Sequence, residues 1–127
     1  MLVFKTALKL KKYLSSDNLS VGLVPTMGAL HKGHLSLVKR AFEENDYVVV
    51  SIYINPTQFN KLSDFKNYPK NQNKDISLLK PFKKKTIIYI PDHKEIYPND
   101  IKSNSYDFGS LDKHMEGKFR NNHFNGV

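Results

Sequence analysis

Three short apolar runs stand out in the pattern of hydrophobic and polar positions along the chain. Val21–Val24 ends at Pro25, and Thr86–Ile90 ends at Pro91. The middle run, Tyr47–Ile54, is rich in β-branched residues and too short for a typical helix. Continuous apolar runs of this length are typical of strands that are covered on both faces of a parallel sheet. The pattern therefore predicts three buried parallel strands.

Segments with a helical spacing of apolar residues alternate with these runs. His34–Glu44 lies between the first two strands, and Asp75–Lys80 precedes the third and stops at Pro81. Phe4–Leu14 is predicted to be an amphipathic helix with lysines on its polar face. Its apolar face would carry Phe4, Ala7, Leu8, Leu10 and Leu14. A strand–helix–strand unit of this length favours a right-handed crossover, so we expect an α/β fold with a doubly wound parallel sheet.

Two stretches lack a clear period. Thr57–Asn73 is polar and is expected to be an irregular, functional loop. Ser103–Val127 is mixed, and within it Leu111–Met115 indicates a helical turn. Because no repeat or low-complexity linker divides the chain, residues 1–127 are predicted to form one domain with one modest core.

The composition limits the classes of function. The 20 basic and 12 acidic side chains give a net charge of +8, which favours binding to nucleic acid. Phosphate and base contacts usually rely on arginine, however, and only Arg40 and Arg120 are arginines. The many Asn, Lys and Ile residues favour a simpler explanation, the bias of an AT-rich genome. The absence of cysteine excludes disulfides and zinc–sulfur sites. No apolar run approaches the ~20 residues that span a bilayer, and lysines interrupt the N-terminus, so a cytoplasmic protein is expected.

The clearest candidate chemistry lies between the first strand and the next helix. These ten residues are Pro25, Thr26, Met27, Gly28, Ala29, Leu30, His31, Lys32, Gly33 and His34. A helix N-terminus offers backbone N–H groups and positive dipole charge, which suit phosphate. Gly28 and Gly33 would let the backbone approach a ligand, and imidazolium would neutralise charge that develops in nucleotidyl transfer. The stretch therefore predicts a nucleotide-phosphate site.

Polar side chains also follow the other two predicted strands. Asn55 and Gln58 come after the second strand, and Asp92 and His93 come after the third. Ligands of open α/β sheets bind at the carboxyl ends of the strands, so these groups are expected to converge on one edge. The amide of Gln58, which carries a donor and an acceptor, would suit a hydroxy-acid substrate.

Each candidate also has a simpler interpretation. His31 and His34 would equally serve as surface residues at a helix start. Two histidines at this spacing can hold a metal, although no carboxylate or third histidine lies at a matching near spacing. Asp75 opens a predicted helix and is a candidate N-terminal cap. The run Lys83–Lys85 is typical of a solvated face, and His123 would be an ordinary half-buried imidazole.

The stretch from Pro25 to His34 closely resembles the pantoate–β-alanine ligase (pantothenate synthetase) family. In that family His31-Lys32-Gly33-His34 corresponds to the "HIGH" signature of nucleotidylyltransferases and class I aminoacyl-tRNA synthetases. Val49–Phe59 resembles the family's strand that ends in Asn-Pro-x-Gln-Phe. Further matches follow in the expected order: Asp64, Tyr68-Pro69, Asp75 with Leu78-Leu79, Glu95-Ile96-Tyr97-Pro98, Glu116-Gly117, Arg120 and His123-Phe124-x-Gly126-Val127. Asn121 and Asn122 stand where the family usually has Pro and Gly.

The resemblance implies a Rossmann-like, nucleotidylyltransferase-type fold and a two-step ligation. ATP would adenylate the carboxylate of pantoate with release of pyrophosphate, and β-alanine would then attack to give pantothenate and AMP. By motif match, Pro25–His34 would line the ATP site, with His34 as the catalytic proton donor and His31 at the phosphate. Gln58 would bind both pantoate and β-alanine, and Asn55, beside Gln58, would bind pantoate.

The resemblance further implies that Mg²⁺ accompanies ATP, with Asp75 near the family's magnesium-associated acidic position; a neighbouring acidic position is Lys74 here. The family continues past Val127 with further ATP- and pantoate-binding motifs and a separate C-terminal domain. Residues 1–127 are therefore predicted to be the N-terminal, incomplete part of the Rossmann-like ATP- and pantoate-binding domain, inactive or very weak alone. The full-length protein is expected to be a homodimer without nucleic-acid or membrane partners.

Two other functions stay open at this point. A nucleotidyltransferase of the same superfamily would share the His31–His34 signature, but it leaves Asn55-Pro56-Thr57-Gln58-Phe59 unexplained. A basic nucleic-acid-binding module would need aromatic residues interleaved with arginine, and the sequence shows no such array.

Overall fold

Four parallel strands form one sheet in the computed structural model, which describes residues 1–15, 18–107 and 123–127. The strands are β1 (Val3–Phe4), β2 (Val21–Thr26), β3 (Tyr47–Ile52) and β4 (Thr86–Tyr89). Their spatial order is β1-β4-β3-β2, and every neighbouring pair is parallel. The expected α/β fold with a parallel sheet is confirmed. The predicted helical turn Leu111–Met115 lies outside the described residues.

The two central strands are buried as their sequence predicts. In β3, Val48 and Val50 pack on one face of the sheet and Val49 on the other. The first face is covered by Val38 and Leu79, which lie on helices α2 (Lys32–Glu44) and α4 (Gln72–Leu79). Both faces are therefore covered, as a doubly wound sheet requires. The predicted β3 was two residues too long, because the strand ends at Ile52.

β2 departs from the prediction of a strand covered on both faces. It lies at the edge of the described sheet, where the side chain of Leu23 is 64% exposed and that of Val21 is 41% exposed. The strand also continues through Pro25 to Thr26 instead of ending at Val24. An edge strand tolerates proline because the missing N–H is not needed by a second neighbour.

The N-terminal helix is shorter than predicted. Phe4 belongs to β1, and α1 spans Ala7–Leu14. The Thr6 hydroxyl caps the helix by accepting from Lys9 N–H at 3.3 Å, so the helix cannot begin before this residue. Of the predicted apolar face, Leu10 is buried against the sheet, but Leu8 is 79% exposed.

The stretch Thr57–Asn73, predicted to be irregular, contains helices. A 3₁₀ turn spans Pro56–Gln58, α3 spans Leu62–Asn67, and α4 begins at Gln72. Asn71 Oδ1 accepts from Lys74 N–H and caps α4, so the predicted start at Asp75 was wrong. A second 3₁₀ turn, Lys80–Phe82, follows α4 and includes Pro81. Two short helices complete the described chain, α5 (His93–Ile96) and α6 (His123–Gly126).

The lysine run before β4 is only partly solvated. Lys83 and Lys84 are exposed, as expected. Lys85 Nζ instead donates to the carbonyls of Phe42 and Asn45 at 3.3 Å and lies 4.9 Å from the ring centroid of Phe42. These carbonyls lie at the end of α2, where a cation is favoured by the helix dipole. Within the described residues, no helix has the length and apolar character needed to cross a membrane.

Candidate active site

A cleft of about 400 Å³ opens at the carboxyl ends of β2 and β3. Its lining residues are Pro25, Thr26, Met27, His34, Ser51, Tyr53, Asn55, Gln58, Tyr68 and Val127. Six predicted site residues therefore share one cavity: Pro25, Thr26 and Met27 from the end of β2, His34 from α2, and Asn55 and Gln58 from the turn after β3. Parallel strands bring the groups that follow them to the same edge, which is why the sequence could predict this convergence.

A second cavity of about 240 Å³ adjoins the cleft and shares Met27 and Tyr53 with it. Gly28, Asp75 and His93 lie among its lining residues. The groups after β4 thus reach this neighbouring cavity and not the cleft that holds His34 and Gln58. The predicted convergence on one edge is right, but it is divided between two cavities.

The loop after β2 is held in an unusual conformation by a distant carboxylate. Gly28 and Ala29 both have positive φ angles, 74° and 50°. Asp75 Oδ2 accepts from Ala29 N–H at 3.1 Å, and Asp75 Oδ1 accepts from Leu30 N–H at 2.8 Å. The left-handed region is unfavourable for alanine, and these two bonds to a residue that is only 3% exposed compensate for it. Asp75 is therefore a clamp on the loop and not the helix cap that its position suggested.

His31 and His34 form a reciprocal cap at the start of α2. His31 Nδ1 accepts from Gly33 N–H at 3.0 Å, and His34 Nδ1 accepts from His31 N–H at 3.2 Å. The two ring centroids lie 4.0 Å apart. Since each Nδ1 accepts a backbone proton, the proton of each neutral ring belongs on Nε2. The simpler interpretation, capping of the helix, is thus correct for both histidines, and it leaves their Nε2 atoms for other chemistry.

Burial lowers the pKa of His34 below its usual value of 6.5, and the charge of neighbouring His31 lowers it further, while the Asp75 carboxylate opposes both effects. At neutral pH His34 is therefore an uncharged imidazole whose Nε2–H is a hydrogen-bond donor. The imidazolium that the sequence predicts beside a phosphate stays a prediction. An approaching phosphate would favour protonation, because a negative charge raises the pKa of imidazole.

The glycines of the loop serve packing within the protein. A Cβ at Gly33 would lie 2.8 Å from His31 Cε1, so the missing side chain makes room for the capping ring. A Cβ at Gly28 would lie 3.0 Å from Asp75 Oδ2 and 3.2 Å from Ile52 Cγ2. Both glycines therefore make room for protein atoms, and the expectation that they let the backbone approach a ligand stays a prediction.

Of the ten residues predicted at the ATP site, five line the cleft or the adjoining cavity: Pro25, Thr26, Met27, Gly28 and His34. Leu30 is 6% exposed and belongs to the hydrophobic core. His31, Lys32 and Gly33 are exposed at the beginning of α2, and Ala29 is half-buried. The assignment of these ten residues to ATP stays a prediction.

The turn that carries Gln58 is connected to the end of the described chain. Asn55 is 7% exposed, and its Nδ2 donates to the carbonyl of Gly126 at 2.8 Å. His123 Nδ1 lies 2.9 Å from the carbonyl oxygen of Gln58. Val127, which follows Gly126, lines the cleft together with Gln58. The matches at Glu116, Gly117, Arg120, Asn121 and Asn122 lie outside the described residues.

Tyrosines are the site residues that sequence reasoning missed. Tyr53 OH lies 2.8 Å from His93 Nδ1 at the boundary of the two cavities. Burial, together with Tyr97 and Asp92, raises the pKa of Tyr53 to about 12, so its hydroxyl stays protonated. Tyr68 lines the cleft as well. The sequence placed Tyr53 inside the predicted strand Tyr47–Ile54, and only the end of β3 at Ile52 puts it at the ligand edge.

No metal centre is built by the described residues alone, since they contain no group of three or more histidine, aspartate or glutamate side chains that could hold an ion. Both oxygens of Asp75 already accept backbone protons. Mg²⁺ typically keeps several waters and binds through one or two carboxylates and the phosphates of a nucleotide. The donor set therefore fits an ion that arrives with ATP, and the predicted contact with Asp75 stays a prediction.

The sequence matches the model of the Pantoate-beta-alanine ligase family over residues 2–127. The chain belongs to this family. It is 45% identical to the pantothenate synthetase of Flavobacterium psychrophilum over an alignment of 130 positions, which covers 100% of this chain and 46% of that protein. It is 51% identical to the pantothenate synthetase of Christiangramia forsetii over 114 residues, 90% of this chain and 40% of that protein. The chain spans less than half the length of these curated relatives.

Solved structures of pantoate–β-alanine ligases share the fold. The enzyme from Francisella tularensis, crystallised in complex with beta-gamma ATP and beta-alanine, superimposes with a TM-score of 0.87 at 37% identity, covering 99% of this chain and 49% of that one. Pantothenate synthetase from Thermus thermophilus gives a TM-score of 0.85 at 37% identity, with 100% and 45% covered. The expected Rossmann-like fold is thereby confirmed.

Proposed function

We propose that the native protein carrying residues 1–127 is an ATP-dependent ligase that condenses pantoate with β-alanine. ATP adenylates the pantoate carboxylate with loss of pyrophosphate, and the amine of β-alanine then displaces AMP to form the amide of pantothenate. The observation that carries this proposal is the cleft in which His34 and Gln58 meet in a chain of this family. The Francisella tularensis relative, solved with an ATP form and beta-alanine, supports the same substrates here.

In this proposal the start of α2 receives the phosphates of ATP. Adenylation accumulates negative charge on the α-phosphate and on the departing pyrophosphate, and preorganised donors stabilise such charge. His34 offers Nε2–H as the catalytic proton donor, because its Nδ1 is engaged by His31 N–H. His31 contributes at the phosphate from the N-terminal cap of the same helix, where the dipole favours anions.

Gln58 is proposed to hold pantoate and the incoming β-alanine. Gln58 lines the same cleft as His34, and the oxygen and nitrogen of an amide can bind an amine and a hydroxyl or carboxylate respectively. Asn55 lines the same cleft and would contact pantoate beside it. Holding the carboxylate in line with the α-phosphate would contribute much of the rate enhancement through orientation.

Several features of the whole enzyme are part of the proposal. Residues 1–127 form an N-terminal ATP- and pantoate-binding domain, Mg²⁺ accompanies ATP, and the enzyme is a cytoplasmic homodimer. The chain spans less than half the length of the curated relatives it matches, and we propose that residues 1–127 alone are inactive or very weak. Wild-type turnover by this segment alone would refute that expectation.

Two reactions test the proposal on the native polypeptide. Exchange of labelled pyrophosphate into ATP should require pantoate, and AMP formation should require both pantoate and β-alanine. Gln58→Ala is expected to raise the KM for pantoate at least tenfold, since a hydroxy acid would lose its hydrogen bonds in a desolvated cleft. Asn73→Ala, which removes an exposed amide from α4, serves as the matched control. Exchange without pantoate, or AMP transfer to a phosphorylated acceptor, would instead indicate a nucleotidyltransferase.

A further inference from the structure

The side chains of Asn55, Thr57 and Tyr97 form a triangle of contacts within hydrogen-bond distance behind the turn that carries Gln58, and two hydroxyl protons serve its three sides. Tyr97 OH donates to Asn55 Oδ1 at 2.7 Å, and Thr57 Oγ1 lies 2.8 Å from Asn55 Oδ1 and 3.0 Å from Tyr97 OH. Tyr97 directly follows α5, whereas Asn55 and Thr57 follow β3. The triangle therefore ties together the segments that leave two neighbouring strands, β4 and β3.

The Asn55 amide joins this triangle to the end of the described chain. Its Oδ1 also accepts from Thr57 N–H at 3.2 Å, and its Nδ2 donates to the Gly126 carbonyl at 2.8 Å. The contact with α6 is close, because a Cβ on Gly126 would lie 2.4 Å from the Thr57 carbonyl oxygen. The orientation of one amide thus decides how the 3₁₀ turn and α6 meet, and these two elements bring Gln58 and Val127 to the cleft.

Backbone groups select one of the two orientations of that amide, and Tyr97 adds a third contact that holds it in place. A flipped amide would place Oδ1 against the Gly126 carbonyl and direct N–H groups at Thr57 N–H, whereas in the observed orientation Oδ1 also accepts from the Tyr97 hydroxyl. Both of these pairings are unfavourable in a residue that is 7% exposed. Tyr97 is not among the described residues that line the cleft, and its hydroxyl contacts Asn55, which does line it.

We propose that Tyr97 is a positioning residue that holds Gln58 and α6 in register with the cleft through the amide of Asn55. This inference rests on the proposed function, in which Gln58 binds pantoate. It also gives a role to the tyrosine of the Glu95-Ile96-Tyr97-Pro98 motif. Glu95 of the same motif anchors α5 to the rest of the domain, since its Oε1 accepts from Ala7 N–H at 2.7 Å.

The decisive variant is Tyr97→Phe in the native polypeptide, which removes one hydroxyl and keeps the ring. The KM for pantoate is expected to rise about fivefold, the effect of one net hydrogen bond, while kcat changes less than twofold. Tyr89→Phe is the matched control, because Tyr89 is equally half-buried but lies on β4 outside the triangle. An unchanged KM, or equal losses in both variants, would overturn the proposal.

A double-mutant cycle tests whether Tyr97 acts through Asn55. If it does, the double variant should have the same KM for pantoate as Asn55→Ala alone, because the amide that Tyr97 positions is already absent. Effects that multiply would show that Tyr97 acts by another route and would overturn the inference. Thr57→Val removes the other hydroxyl of the triangle and provides a second variant should Tyr97→Phe fail to fold.

An activity-independent readout separates this inference from the proposed function. The Thr57 amide proton is bound to Asn55 Oδ1, so its exchange with solvent, followed by NMR, should accelerate several-fold in Tyr97→Phe and not in Tyr89→Phe. Absence of pantoate-dependent activity in the wild type would remove the proposed function but leave this measurement valid. Unchanged exchange in Tyr97→Phe would overturn the positioning role whatever the activity.

Discussion

Replacing Asp75 by asparagine removes the clamp on the loop that leads to the two histidines. The carboxylate of Asp75 is 3% exposed and accepts one backbone proton on each oxygen, from Ala29 and Leu30. Asparagine has nearly the same shape but offers one acceptor and one donor. One of the two backbone N–H groups would therefore face an N–H₂ group inside the protein.

The magnitude follows from these contacts. A buried donor left without a partner costs about 1–3 kcal/mol, and the remaining bond loses its charge assistance. Ala29 also keeps its positive φ angle of 50° with less support. We expect Asp75→Asn to lower the free energy of unfolding by about 2–3 kcal/mol. For a chain of 127 residues this corresponds to a decrease of roughly 7–11 °C in Tm.

Thermal and urea unfolding in the presence of EDTA provide the assay. Chelation matters because a magnesium ligand at Asp75 would lose its effect when the metal is removed, whereas the clamp needs no metal. Asp100→Asn, at an exposed position, is the matched control and should change stability by less than about 0.5 kcal/mol. A Tm change below about 2 °C for Asp75→Asn, or one that disappears with EDTA, would refute the reasoning.

Three further variants test other contacts. The pKa of His34 is lowered in the folded chain, so its contribution is complete above pH 6.5 and is lost as the pH falls from there through the folded-state pKa. Between pH 7 and pH 5 the free energy of unfolding should therefore fall less in His34→Asn than in the wild type. An equal fall in both proteins, measured by urea unfolding at the two pH values, would contradict this. Gly126→Ala places a Cβ 2.4 Å from the Thr57 carbonyl oxygen and should cost about 1–3 kcal/mol in thermal unfolding, with NMR shifts at residues 57–58. Gly33→Ala should destabilise the wild type by displacing the His31 cap, but stabilise a His31→Ala variant by up to about 1 kcal/mol; the same sign in both backgrounds would be inconsistent with the contact.

The sequence alone predicted the central elements and the position of the candidate chemistry. The β-branched run became the buried strand Tyr47–Ile52, and the predicted helix His34–Glu44 became the helix Lys32–Glu44, which begins two residues earlier. The two histidines at the helix entrance and Gln58 after the second strand were also placed correctly, and His34 and Gln58 meet in one cleft. These features are local, because hydrophobic period and turn chemistry are written in neighbouring residues.

Contacts between distant segments decided the remainder. The two-residue strand Val3–Phe4 exists because it pairs with Ile88 and Tyr89, and nothing in its own composition predicts that pairing. The exposure of Leu23 depends on the place of β2 in the sheet and not on its apolar sequence. Strand order is a property of the whole topology, which a local pattern does not encode.

The use of each polar side chain was likewise a tertiary matter. The position of Asp75 in the chain suggested a helix cap, and the fold brings it to the loop at Ala29 and Leu30 instead. Tyr97 reaches Asn55 only because α5 and the 3₁₀ turn follow adjacent parallel strands. A side chain's residue type determines which hydrogen bonds it can make, but the partner across the fold determines which it does make.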